Sequence, residues 1–157
     1  MLLIVWHSRT GASRALAEAA GAGAGDRARL LAAADVTPDD LLAAQGYLFV
    51  CPENLAAMSG AMKEMFDRCY YPVLGRVAGR AYASMIAAGN DGQGAQAQLD
   101  RIATGWRLRR MADPLIVNLH VQTAQEILAP KIVPEAILLR ARELGEAMAS
   151  GLEQGIF

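Results

Sequence analysis

Three hydroxyls and a glycine crowd into six residues near the start of the chain, Ser8-Arg9-Thr10-Gly11-Ala12-Ser13. Ser8, Thr10 and Ser13 can each donate a hydrogen bond to an oxyanion. Gly11 lets the backbone come close to a bound group. The chemistry such a set suits is capture of a phosphate. A loop that hands a strand to a helix N-terminus aims its N–H groups outward, and the helix dipole favours an anion there. The competing reading of the same residues is a capped helix behind a buried strand, with Ser13 as the N-cap. Arg9 and Arg14 stand beside the loop, either as phosphate partners or as exposed helix-start arginines.

The elements that must position this loop are legible around it. Leu2 to Trp6 is a bulky apolar run of strand length, and from Ser13 onward Leu16, Ala17 and Ala20 recur at helical spacing. Gly21 to Gly25 reads as a helix stop and turn. It is not a dinucleotide glycine motif, which must follow a strand and open a helix. Arg29 to Ala34 is a weak strand suited to a sheet edge. Thr37-Pro38-Asp39-Asp40 starts a helix. Gly46 to Cys51 is the strongest strand signal, bounded by Gly46 and Pro52.

Pro52-Glu53-Asn54-Leu55-Ala56-Ala57 then reads as a loop. The helix after it carries a stripe of Met58, Met62, Met65, Phe66 and Cys69, which is read as core. Tyr70-Tyr71-Pro72 ends that helix. A fourth strand centres on Tyr82 to Ala88, and Gly89-Asn90-Asp91-Gly92-Gln93-Gly94 is a glycine-rich loop directly after it. A helix from about Ala95 to Arg110, a fifth strand from Pro114 to Leu119, an irregular stretch from Thr123 to Val133 and a last helix opened by Pro134 complete the chain.

Five strands alternating with five helices predict a parallel sheet covered on both faces. Ligands of such sheets sit beyond the carboxyl ends of the strands, where the strand order reverses. Three loops should therefore converge: 7–13, 52–57 and 89–94. The first brings phosphate donors. The other two bring Asn54, Asn90 and Gln93 beside small residues that let backbone amides approach a flat polar ring.

Composition narrows the classes. At 157 residues, 54% hydrophobic and 20% charged, the chain is expected to be one globular domain over 1–157. A formal net charge of −1 makes no electrostatic case for nucleic acid or an anionic membrane. Cys51 and Cys69 are too few for a disulfide framework, and no Cys/His spacing suggests zinc or another metal. The short apolar start is not a secretory signal, and no run reaches the ~20 residues a bilayer span needs. A cytoplasmic protein with reduced thiols is the expectation.

The phosphate loop resembles that of flavodoxin-like FMN proteins, Ser/Thr-x-Thr-Gly-x-Ser/Thr. Beyond it, Cys51-Pro52-Glu53-Asn54 followed by Met58-Ser59-Gly60-Ala61-Met62-Lys63-Glu64 is similar to the NAD(P)H-dependent FMN reductase and quinone reductase branch of that superfamily. There a Pro-centred loop leads into an x-Ser-Gly-Ala-x-Lys helix. The resemblance implies an α/β flavodoxin-like three-layer sandwich, with a five-stranded parallel sheet of order 2-1-3-4-5 and helices on both faces.

Residue by residue it implies Ser8, Arg9, Thr10, Gly11, Ala12 and Ser13 on the phosphate. It implies Pro52, Glu53, Asn54 and Leu55, with Ala56 and Ala57, on the isoalloxazine ring, and Gly89, Asn90, Asp91, Gly92 and Gln93 completing the ring site. The activity it implies is electron transfer from NAD(P)H through FMN to a quinone, a flavin or another small-molecule acceptor, with no essential acid or base among the side chains. Small members of this branch are often dimers, so the resemblance leaves a homodimer open.

The middle loop lacks the aromatic residue, and the surface lacks the acidity, of electron-transfer flavodoxins. Trp6, Tyr70, Tyr71 and Trp106 are the aromatics available to supply a stack from elsewhere. Two other functions remain in view: a non-enzymatic electron carrier of the flavodoxin type, and a flavodoxin-like interaction module without cofactor. A receiver domain would need a carboxylate cluster where Trp6-His7-Ser8 and Cys51-Pro52-Glu53 stand. A cysteine phosphatase would need an arginine closing the loop after Cys51, and a P-loop NTPase would need a lysine after Gly11.

Overall fold

The computed structural model describes residues 1–157. The elements run β1 (Leu2–Trp6), α1 (Ala12–Ala24), β2 (Ala28–Ala32), α2 (Pro38–Ala43), β3 (Gly46–Asn54), β4 (Ala57–Met58), α3 (Gly60–Val73), β5 (Ala81–Ala88), α4 (Gln93–Gly105), β6 (Arg109–Arg110), β7 (Leu115–Asn118), α5 (Ala124–Leu128) and α6 (Glu135–Glu153). The central sheet is parallel in the order β2-β1-β3-β5, and β6 and β7 share the outer place beside β5. This is the flavodoxin-like order 2-1-3-4-5, with the fifth position divided between two short strands.

Alternation along the strands splits the apolar residues between two cores. Leu3, Val5, Tyr47, Phe49, Cys51, Tyr82 and Ile86 face α2, α3 and α4. Leu2, Ile4, Leu48, Val50, Ala81, Ala83, Met85 and Ala87 face α1 and α6. Met58, Met62 and Met65 are buried in the first core, so the methionine stripe is packing. That core is rich in aromatics, with Phe49 against Phe66 and Phe66 against Trp106 at centroid separations of 5.1 and 5.3 Å. The second is built largely from alanine, which brings α1 and α6 close together.

Several boundaries differ from the sequence expectation, each for a physical reason. The glycines at 21 and 23 do not stop α1, which runs to Ala24. A Cβ at 21 would press on the Leu30 side chain, and one at 23 would fall on the Arg142 carbonyl of α6, so close packing accounts for both. Pro72 lies inside α3, whose last turn continues to Val73. The fourth helix ends at Gly105, and Arg109–Arg110 pair with Ala81–Tyr82 as a strand instead of extending it. The stretch after β7 contains a five-residue helix, α5, closed by a capping box between Thr123 and Glu126. The weak second strand, expected over Arg29 to Ala34, begins one residue and ends two residues earlier, at Ala28–Ala32, and forms the sheet edge.

Candidate functional site

A cavity of about 330 Å³ opens at the carboxyl ends of β1, β3 and β5, within the roughly 300–1,000 Å³ usual for small-molecule pockets. The three loops do converge there. Ser8, Arg9, Thr10, Ala12 and Ser13 line it from the first, Pro52, Glu53, Asn54 and Leu55 from the second, and Gly89, Asn90 and Asp91 from the third.

The first loop is built as an open cradle. Gly11 is the residue before α1, at φ +101°, and no side chain caps the helix. Its amide donates to Ser8 Oγ at 3.1 Å. The first helical amide with a backbone acceptor is that of Ala15, bonded to Gly11 O at 3.0 Å, leaving those of Ala12, Ser13 and Arg14 free of backbone partners. Ser13 is therefore not the N-cap. It sits in the first turn, 1% exposed, and its hydroxyl is the one buried side-chain polar atom without a hydrogen-bond partner. Leaving such a group unpaired costs roughly 1–3 kcal/mol. Arg14 turns away to Glu18 and lies over the Trp6 ring, so it belongs to the helix surface.

The second stretch is a hairpin instead of a loop. β3 continues through Pro52 to Asn54, turns on Leu55 and Ala56 at φ +52° and +62°, and returns as β4, pairing Glu53 with Met58 and Asn54 with Ala57. Ala56 and Ala57 consequently lie outside the cavity lining, while Leu55 projects fully into solvent at its rim. The Glu53 carboxylate is not aimed at a ligand. Oε1 accepts from the Gly92 amide at 2.8 Å and Oε2 from that of Ala95 at 2.9 Å, across the start of α4.

In the third stretch Gly92, at φ +93°, is the N-cap of α4, and Gln93 is already helical and exposed, so neither lines the cavity. Gly11 likewise shapes its loop without lining the cavity. Asn90 spends its side-chain N–H on Val121 O at 3.0 Å, and Val121 N–H returns to Gly89 O at 3.1 Å.

These bonds tie in a wall that the sequence reading missed. Leu119, Val121, Ile127, Leu128 and Lys131 line the cavity from the segment after β7, and Ala87 and Ala88 form part of its floor. The Lys131 amide donates to Thr10 O at 2.7 Å, and its ammonium closes the end of α5 by donating to the carbonyls of Glu126, Ile127 and Ala129. The available signal was the run Thr123-Ala124-Gln125-Glu126, a Thr followed three residues later by Glu. No aromatic residue lines the cavity. Trp106 is buried against Tyr70, and Trp6 lies under Arg14.

His7 does not line the cavity either. Its Nδ1 shares a 2.8 Å hydrogen bond with the fully buried Ser59 hydroxyl. Burial, and then the nearby Arg9 charge, hold its pKa below the ordinary 6.5. The folded protein thus keeps the ring neutral where the unfolded chain would already protonate it. Stability is accordingly expected to fall as pH drops through 6.5 toward the folded-state pKa, and to become independent of this group below it. Urea unfolding from pH 7.5 to 5 checks this: His7→Gln should flatten the slope, and an unchanged slope would assign it elsewhere. Burial also pushes the Cys51 thiol up to about 12, so it carries no thiolate for nucleophilic chemistry near neutrality.

A phosphate-suited loop at the topological switch of a 2-1-3-4-5 parallel sheet defines a flavodoxin-like α/β protein. The chain superposes on a flavodoxin from the domain Archaea with a TM-score of 0.76, at 17% identity over 97% of this chain and 98% of that one. It matches a flavodoxin, WrbA-like protein from Agrobacterium tumefaciens with a TM-score of 0.73, at 19% identity over 98% and 97%. In sequence it is 29% identical to a flavodoxin of Aquifex aeolicus over 97 residues, 59% of this chain and 52% of that protein, so the match spans about half of the relative. Residues 32–118, more than half of the chain, match the family model for NADPH-dependent FMN reductase. The chain belongs to that family. No helix is long and apolar enough to cross a membrane.

Proposed function

We propose that the cavity holds FMN and that the protein passes electrons from NAD(P)H through it to a quinone, a flavin or another small acceptor. The observation that carries this is an asymmetry between two helix N-termini at the site. That of α4 is already filled by the Glu53 carboxylate. That of α1 is capped by no side chain of the protein and has a buried, unpartnered hydroxyl in its first turn. A protein that fills one such position internally and leaves the other with an unmet donor is built to receive an anion there.

Ser8, Thr10, Ser13 and the free amides of the first turn would hold the phosphate. The hairpin from Pro52 to Leu55 and the turn from Gly89 to Asp91 would flank the ring. A bound flavin would supply the electron chemistry; the chain supplies orientation and backbone dipoles. Glu53 is committed to α4, so no proton-transfer role falls to it. The aromatic-free wall leaves room for a nicotinamide or quinone against the ring.

The match to the Aquifex flavodoxin favours a second reading, a carrier that exchanges electrons with proteins and does not oxidise NAD(P)H itself. Paired titrations with FMN and riboflavin test the site. FMN should bind at least about tenfold tighter, as charge-assisted phosphate bonds require. At a hundredfold its Kd it should raise apparent stability by about 2.7 kcal/mol. NAD(P)H oxidation with a quinone, measured against free FMN, then separates reductase from carrier. Absence of FMN binding would overturn both.

A further inference from the structure

We infer that Glu53 is a positioning residue that sets the ring-side hairpin of the cavity by serving as the missing cap of α4; this rests on the flavin reading above. The hairpin is strained where it turns. Leu55 and Ala56 both adopt left-handed backbone conformations, which type I′ turns normally give to Asn or Gly. Non-glycine residues there persist only when their surroundings over-determine them.

The surroundings are three ties to α4. The Glu53 carboxylate spans the amides of Gly92 and Ala95 at 2.8 and 2.9 Å. The Met58 amide donates to Gln98 Oε1 at 3.0 Å. The Ala56 carbonyl lies where a Cβ at Gly94 would be, so the turn rests directly on the first turn of α4. Of the three, only the Glu53 tie is charged, and it meets the positive end of a helix that has no cap of its own. It also lies within the cavity lining, one residue from Pro52 and Asn54. Glu53 therefore fixes the distance between the hairpin and the turn at Gly89–Asp91, the two surfaces that flank the ring. It has no part in holding the phosphate, which lies with the α1 loop.

That division makes the test specific. Wild type, Glu53→Gln and Glu53→Ala are titrated with FMN and with riboflavin. Flavin fluorescence and the visible circular dichroism of the bound ring are followed, and amide hydrogen exchange of residues 53–58 is measured without ligand. Glu53→Ala should weaken both flavins by a similar factor, about tenfold, with an altered ring dichroism and faster exchange in the hairpin. Glu53→Gln, which keeps one acceptor, should recover part of each. Wild-type affinity for both flavins and an unchanged ring signal in Glu53→Ala would overturn the inference while leaving the site intact. Weakening of FMN alone would also overturn it, by placing Glu53 on the phosphate side. Wild type binding neither flavin would remove the site, and the inference with it.

Discussion

Replacing Gly145 by valine should cost the protein about 3 kcal/mol or more, a large share of the roughly 5–15 kcal/mol that holds a domain folded. Gly145 of α6 packs against the backbone of Ala20 in α1, and a Cβ there would land on the Ala20 carbonyl. Gly23 of α1 makes the reciprocal approach to the Arg142 carbonyl of α6. The obstacle in both cases is backbone, which has no rotamer by which to yield, so the helices must separate. Because α1 begins at the loop from Ser8 to Gly11, separation should also displace Ala12 and Ser13 from the cavity. Urea unfolding with an unchanged m-value measures the loss. Gly60→Ala is the control: its Cβ would meet open space at the first residue of α3, and stability should change by less than about 0.5 kcal/mol. A Gly145→Val protein as stable as wild type would mean that the α1–α6 contact is looser than described.

The second large effect concerns Ser13 and Thr10. Ser13→Ala should leave the ligand-free protein as stable as wild type, or more stable by about 1 kcal/mol. It removes a hydroxyl that is buried and bonded to nothing. The same change should weaken FMN by about tenfold and riboflavin hardly at all. Thr10→Glu should go further and lower FMN affinity by at least about a hundredfold, since it puts a carboxylate into the space proposed for the phosphate; desolvated like charges repel by several kcal/mol. Riboflavin carries no phosphate and should be affected far less. Calorimetric titration of both flavins reads the difference. Equal losses for the two would move the phosphate away from the α1 loop.

How much of this was legible depended on whether a residue's role is local. The run Ser8 to Ser13 was readable because hydroxyls, a glycine and a following helix carry their meaning within six residues. Gly46 to Cys51 was readable as a strand because a bulky apolar run between Gly and Pro has few other uses. Pro52 misled, since proline usually ends a strand; here it lies at the far end of β3, still paired beside Ala87, and the strand continues to the hairpin. Leu55-Ala56 carries none of the Asn-Gly chemistry by which such a turn announces itself. Glu53 was placed on the ring because its partners, the amides of Gly92 and Ala95, lie about forty residues away along the chain. Gly21 and Gly23 looked like a stop because nothing nearby shows that another helix will press on them. The wall from Leu119 to Lys131 was passed over because a five-residue helix is too short to display a period.

The divided outer strand has a consequence of its own. Arg109 and Arg110 are exposed where β6 meets β5, Pro114 interrupts the run, and only four residues of β7 resume it. A border broken in this way, with fixed positive charge at one end and a missing amide donor in the middle, is a poor template for a foreign β-segment. At high protein concentration, that discontinuity works against fibril growth and open-ended polymerisation along this side of the sheet.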